Sequence, residues 1–208
     1  MFNQVPVLIV DYGMGNLRSV ANAVEVIGWE ALISSNPEDL RRADKVILPG
    51  VGAFGDGMRN LKAMGWINVL DEEIRRKAKP FLGLCLGMQL LATTGTEHGT
   101  HQGLNWIPGV VERIQCDGPK IRVPHIGWND VRFVKGEGLY SGMGDSKTFY
   151  FVHSYVFRPE SFSVVSGVCS YGVEFAASLE LDNIFATQFH PEKSQKAGLA
   201  VLKNFLSM

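Results

Sequence analysis

The stretch GLCLG, residues 83–87, sets a cysteine between two glycines at the point where an apolar run gives way to a helical pattern. Gly-x-nucleophile-x-Gly on a strand-to-helix turn is the form of a nucleophile elbow, with the sulfur of Cys85 in place of a serine hydroxyl. A sharp turn forces unusual backbone angles on the nucleophile, and small neighbours leave room for them. The first N–H groups of the new helix then lie beside the sulfur and favour its thiolate form. The Leu86 N–H points toward a developing oxyanion. A buried thiol in a glycine-rich corner fits the pentapeptide equally well. Cys116 and Cys169 have no comparable setting and read as core or near-surface thiols.

A nucleophilic thiol needs a base, and the base needs a group to orient it. Of the five histidines, His190 stands out, in ATQFHPEKSQ. It closes an apolar strand, Pro191 restrains it to extended geometry, and Glu192 can turn back to accept the imidazole N–H. Without Cys85, a strand-end histidine with an unrelated surface glutamate is the simpler reading. A third piece, LPGVGAFGDG, follows another strand with glycines at 50, 52, 55 and 57. It lacks the GK[ST] ending of a phosphate loop. The alternative is that its mobile peptides complete an oxyanion hole beside Cys85.

These pieces need a scaffold that brings strand ends together. VPVLIVDYG, ALISS, KVILPG and PFLGLC read as buried strands, with helical patterns between them in NLRSVANAVEVIG, NPEDLRRA, residues 57–77 and LGMQLLA. Strands alternating with helices imply a parallel sheet covered on both faces. After about residue 105 the texture changes. GVVERI, IRVPHIGWNDVRFV, KTFYFVHSYVF, FSVVSGVCSYG, FAASLEL and NIFATQFH read as shorter strands between turns. The last stretch, QKAGLAVLKNFLSM, reads as a closing helix with Leu199, Leu202 and Phe205 on one face. The expectation is one α/β domain over residues 1–208: a mostly parallel central sheet flanked by helices, flavodoxin-like, with antiparallel strands added in the second half.

Composition narrows the functional classes. The 208 residues are 46% hydrophobic, and 20 Lys+Arg almost balance 21 Asp+Glu. No basic run points to nucleic acid or an anionic membrane. The N-terminal apolar run is only a strand's length, with no charged region before it, so neither a signal peptide nor a membrane span is expected. Three widely spaced cysteines make a poor disulfide framework and lack zinc-site spacing. No metal or cofactor is expected, and a reducing cytoplasm is the natural setting.

Taken together, PGVGAFGDG, GLCLGMQLL and FHPEKSQ resemble the class I, triad-type glutamine amidotransferases. The resemblance implies glutamine hydrolysis to glutamate and ammonia, with Cys85 as nucleophile, His190 as general base and acid, and Glu192 as its orienter. It implies substrate contacts from Gly52, Gln89 and Glu97, and oxyanion donors at Val51, Gly52 and Leu86. VDYGMGNLRSV, VPHIGWN and FYFVHSY are similar, more narrowly, to the amidotransferase subunits of imidazole glycerol phosphate synthases. Asn105, Trp106 and Arg122 depart from the usual pattern there without touching the triad.

That narrower likeness implies a heterodimer with a (β/α)8-barrel cyclase, too large to fit within this chain. The cyclase uses the ammonia to make imidazole glycerol phosphate and the purine intermediate AICAR in histidine biosynthesis. His125, Trp128, Asn129, Tyr155 and Lys193 are the candidate interface residues. A core aromatic on a hairpin also accounts for Trp128, and a solvated helix-end charge for Lys193. His125 and His153 both read as supporting or interface residues rather than catalytic ones, and His98 and His101 as loop residues. The Gly50–Val51–Gly52 segment suggests a subunit held nearly inactive until its partner docks. Other readings share parts of the pattern. They are a paralogue feeding ammonia to a sugar-aminating enzyme, a non-catalytic regulatory subunit of the same fold, and a thiol hydrolase or peptidase. Gln89 and the HPE strand end argue against the last.

Overall fold

The structure is a computed structural model, and it describes residues 6–115 and 121–208. Cys116 lies outside the described residues. Four runs of apolar residues build the first half of the main sheet: β1 (Val7–Val10), β2 (Ala31–Ser34), β3 (Lys45–Gly50) and β4 (Phe81–Cys85). Every residue of β1, β3 and β4 is buried, as expected for parallel strands covered on both faces.

The period of two along each strand divides the core. Leu8, Val10, Val46 and Leu48 point into one cluster, while Val7, Ile9, Ile47, Leu82 and Leu84 point into another. Helices α1 (Leu17–Val26) and α5 (Gln195–Leu206) cover the second cluster with Val20, Val24, Val201 and Phe205. Helices α2 (Phe54–Ala63) and α3 (Trp66–Leu70) cover the first with Phe54, Leu61 and Trp66. A short helix, α4 (Leu86–Gln89), follows β4 directly.

The second half contributes nine strands. They are β5 (Thr94–Gly95), β6 (His101–Gln102), β7 (Gly109–Arg113), β8 (His125–Phe133), β9 (Ser146–His153), β10 (Tyr155–Pro159), β11 (Val165–Tyr171), β12 (Val173–Leu181) and β13 (Ile184–Thr187). The main sheet has nine strands in the order β2-β1-β3-β4-β13-β12-β11-β8-β9. The first five are parallel neighbours, and from β13 onward the pairing is antiparallel. A separate sheet of four, β10-β7-β5-β6, lies beside it. No helix among the described residues is long and apolar enough to cross a membrane.

Several details differ from the sequence expectation. NPEDLRRA forms a 3-10 helix over Pro37–Arg42, although Asn36 does cap it by accepting from the Glu38 N–H. The helix after Cys85 stops at Gln89, and its last turn tightens through Leu91 N to Met88 O and Ala92 N to Gln89 O. KTFYFVHSYVF is two strands in two different sheets, separated by Ser154. His101 is strand rather than loop. On α5 the buried stripe is Gly198, Val201, Leu202, Phe205 and Leu206, and Leu199 is only half-buried. Finally, β13 does not extend the antiparallel part outward. It sits parallel to β4.

One contact governs the elbow's packing. A Cβ placed on Gly87 would collide with the Leu48 carbonyl of β3, so only glycine lets α4 lie this close to the sheet. Gly87→Ala should therefore lower stability by about 1–3 kcal/mol through overpacking. Gly136→Ala, where an added Cβ meets nothing, should change it little. Urea unfolding of both variants tests this, and equal stabilities contradict it.

Candidate active site

Cys85 ends β4 in the predicted elbow. Its backbone has φ 53 and ψ −105, a region that costs a non-glycine residue about 1–3 kcal/mol. Such strain persists only where the surroundings enforce it. Here β4 is clamped between β3 and β13, and α4 starts at the next residue. The side chain is 6% exposed. With only four residues in α4, the helix dipole adds little, so close donors matter more than the dipole invoked from the sequence.

His190 arrives from the neighbouring strand. β13 places Thr187 opposite Leu84 of β4, and Gln188 and Phe189 carry the chain to His190. The His190 N–H donates to Tyr150 O at 3.0 Å, and Ser194 Oγ donates to His190 O at 2.6 Å. A 3-10 turn over Pro191–Lys193 brings Glu192 back. His190 Nδ1 lies 2.8 Å from Glu192 Oε1, with side chains only 4% and 2% exposed. The carboxylate therefore fixes Nδ1 as the protonated nitrogen. Nε2 is buried with no hydrogen-bond partner among the described residues. Burial opposes the imidazolium, but the Cys85 sulfur and then the Glu192 carboxylate outweigh it and hold the His190 pKa above the ordinary histidine value. The arrangement suits proton transfer between sulfur and Nε2, with Glu192 stabilising the charged ring.

A cavity of about 390 Å³ opens beside the sulfur, lined among others by Val51, Gly52, Cys85, Gln89, Glu97 and Tyr155. Leu86 lines it too. All the residues expected to bind glutamine or an oxyanion thus meet in one place. Gly50 pairs in register with Cys85, so the loop after β3 begins directly beside the nucleophile. Gly52 has φ +113, which favours glycine. Glu97, between β5 and β6, accepts through Oε2 from the Phe54 N–H at 2.9 Å, holding the start of α2 and with it the end of that loop. Gln89 is buried, and its Nε2 donates to Tyr155 O and to Gln188 Oε1, each at 3.0 Å. A larger cavity, about 710 Å³, opens between α2, α3 and His101 and contains none of these side chains.

The interface candidates separate into two groups. Trp128 is 49% exposed on β8, with Ile126 at 59% on the same strand. Lys193 is exposed, with its Nζ 5.9 Å from the centroid of the Tyr150 ring, and Trp128 meets that ring edge-on. Asn129 is half-buried. His125, by contrast, is 2% exposed and stands behind this face rather than on it, because aromatic rings enclose it. Tyr155 is half-buried and lines the cavity.

Two groups at the site were not anticipated. Gln188 is fully buried, and its Nε2 lies 3.6 Å from Cys85 Sγ. A glutamine inside the apolar run IFATQF was the available signal, since a buried amide requires partners. The Tyr12 hydroxyl is buried without a hydrogen-bond partner among the described residues, and burial first, then the Cys85 charge, pushes its pKa up. Among the described residues no cluster of His, Cys, Asp or Glu is arranged to hold a metal.

The chain is similar to known proteins at two levels, sequence and fold. The family described as glutamine amidotransferase class-I matches residues 8–208. The chain is 48% identical over 206 residues to the imidazole glycerol phosphate synthase subunit HisH of Geobacter sulfurreducens, covering 97% of this chain and 98% of that one. It is 47% identical over 206 residues to the subunit of the same name from Syntrophotalea carbinolica, covering 97% and 100%. Among solved structures, PurLQS from Thermotoga maritima superposes with a TM-score of 0.75 at 18% identity, covering 98% of each chain. That is a likeness of fold alone.

The charge coupling at the site has a measurable sign. Stability from a raised histidine pKa is complete below the unfolded-state value of about 6.5 and is lost as pH rises through the folded value. In an NMR titration, His190 should titrate above the ordinary histidine range, and Cys85→Ala should bring it down. An unchanged titration in the variant contradicts the coupling.

Proposed function

This chain belongs to the class-I glutamine amidotransferase family, and from that premise we propose that it is the glutaminase subunit of an imidazole glycerol phosphate synthase. The observation that carries the chemistry is the buried His190–Glu192 pair, whose Nε2 has no hydrogen-bond partner among the described residues and whose ring is coupled to the Cys85 sulfur beside the cavity. High identity to HisH subunits over nearly the whole chain supports the choice of synthase. One amidotransferase domain acting in the cytoplasm, without metal or cofactor, is the form this reading takes.

Glutamine enters the cavity with its carboxamide against the sulfur. His190 Nε2 takes the thiol proton as Sγ attacks the amide carbon, and Glu192 stabilises the imidazolium so formed. The developing oxyanion is met by the Leu86 N–H and by peptide N–H groups of Val51 and Gly52. His190 then returns the proton to the leaving nitrogen, which departs as ammonia and leaves a glutamyl thioester on Cys85. Water, deprotonated by His190 Nε2, attacks the thioester; the C–S bond breaks, the sulfur regains its proton from His190 and glutamate is released. Gln89 and Glu97 shape the pocket: the first through its amide, the second by holding the loop end at Phe54.

The ammonia passes to a (β/α)8-barrel cyclase subunit, which makes imidazole glycerol phosphate and AICAR in histidine biosynthesis. The surface bearing Ile126, Trp128 and Lys193 suits that partner. It joins exposed aromatic and aliphatic area to a cation, as interface centres often do. Neither nucleic acid nor a membrane has a role in this reading. The intact Cys-His-Glu set opposes a purely regulatory subunit.

With the cyclase present, Cys85→Ala should abolish synthesis from glutamine, a loss of at least about a thousandfold, while synthesis from added ammonium persists. Joint loss of both activities would make Cys85 structural. The chain alone should hydrolyse glutamine far more slowly than in the complex. Full activity alone contradicts control by the Gly50–Val51–Gly52 loop.

A further inference from the structure

The mechanism leaves two buried histidines unused. His125 on β8 and His153 at the end of β9 are register partners, with His125 Nδ1 3.0 Å from His153 Nε2. They are 2% and 6% exposed. His125 lies flat between Tyr171 and Phe151, at centroid distances of 3.9 and 4.8 Å. Phe175 packs edge-on against both rings.

A backbone carbonyl decides where their protons sit. His153 Nδ1 is 2.9 Å from Tyr155 O. A carbonyl only accepts, so Nδ1 carries the hydrogen, and neutral His153 presents a lone pair at Nε2. His125 Nδ1 must then donate, which leaves its own Nε2 an acceptor. Asn129 Nδ2 lies 3.4 Å from that nitrogen. The Asn129 amide is oriented independently, since Nδ2 also donates to Ser170 O at 3.0 Å and Oδ1 accepts from Asp130 N at 2.9 Å. Both rings are therefore Nδ1–H tautomers, and a second proton on either would set N–H against N–H.

The same carbonyl orients the other side. Tyr155 O accepts from Gln89 Nε2, which fixes that amide. The second Gln89 hydrogen goes to Gln188 Oε1, which turns the Gln188 Nε2 donor toward Cys85 Sγ. Hydrogen bonds thus run without a break from the half-buried Asn129 of β8 to the candidate nucleophile.

We propose that His125 and His153 are positioning residues for glutamine hydrolysis: their one-way chain from Asn129 holds the Tyr155 carbonyl that aims Gln89 and Gln188 at Cys85, and it links the Trp128–Asn129 segment to the sulfur. The proposal rests on Cys85 being the nucleophile. Both rings stay neutral. Burial lowers His125 to about 4. It also lowers His153, to about 3. The titratable groups facing the pair are Tyr171, next to His125, and His190, near His153. A partner that displaces Asn129 removes the first donor and changes the aim of the last.

The test pairs spectroscopy with kinetics. In the full chain labelled with 15N-histidine, both rings should show the Nδ1–H tautomer and no titration from about pH 8 to about pH 5, where a free histidine changes charge. In the complex with cyclase, His125→Leu should lower glutaminase kcat about tenfold, the scale of one lost hydrogen bond. His125→Asn keeps a donor at the Nδ1 position and should restore most of it. Ammonium-driven synthesis should be equal in both variants. A proton on Nε2 of either ring, a titration near the ordinary value, or full kcat in His125→Leu overturns the proposal. A parallel fall in ammonium-driven synthesis also overturns it, because it marks a folding or docking role. If Cys85→Ala still hydrolyses glutamine, the reading of the nucleophile fails instead.

Discussion

Parallel pairing of β3, β4 and β13 is the constraint on which the site depends. Register sets Gly50 beside Cys85 on one side and Thr187 beside Leu84 on the other. Three loops that are distant in sequence therefore leave the sheet at the same end. One carries the glycine-rich peptides, one the sulfur and one the imidazole. This is the crevice at the carboxyl ends of strands where open α/β sheets place their ligands. A one-residue slip of β13 would reverse its side chains and turn His190 away from Cys85. The buried pairing also sustains the strained backbone of Cys85, which an isolated turn would relax.

Much of this was legible in the sequence because local chemistry and global position agree. The apolar runs of β1, β3 and β4 are buried on both faces. The elbow was readable because two glycines flank the cysteine, and Gly87 meets the Leu48 carbonyl where any side chain would clash. Glu192 was readable because Pro191 stiffens the turn between it and His190. Partner strands were harder. Nothing in NIFATQFH distinguishes an antiparallel strand from one that rejoins the parallel sheet. That choice is made by the β12–β13 hairpin together with the space beside β4. The small sheet of β5, β6, β7 and β10 was illegible as a unit. Two of its strands have only two residues each, too short to show a period.

The polar network was hidden for a related reason. Gln89, Gln188, His125 and His153 come from separate elements, and each looks like an isolated polar residue in an apolar stretch. Their meaning appears only once burial requires every donor and acceptor to be matched. The Tyr155 carbonyl then sets the orientation of all four side chains. The same logic puts His125, for which the sequence leaves a supporting and an interface role open, beneath the surface. Trp128 and Lys193 remain outside, joined through the Tyr150 ring, and Tyr150 O is the acceptor for the His190 N–H. The outer face and the His190–Glu192 turn thus both contact β9, so the proposed docking face and the candidate site are mechanically close.

The account stands or falls on sulfur at position 85 attacking a glutamine-like carbonyl. The most direct measurement is covalent labelling by a glutamine analogue whose amide is replaced by an electrophilic ketone, followed by peptide mass analysis. The account predicts one label, on the peptide containing Cys85, slowed by glutamine and absent in Cys85→Ala. Labelling of Cys116 or Cys169 instead, or labelling of Cys85 that glutamine does not slow, would contradict it.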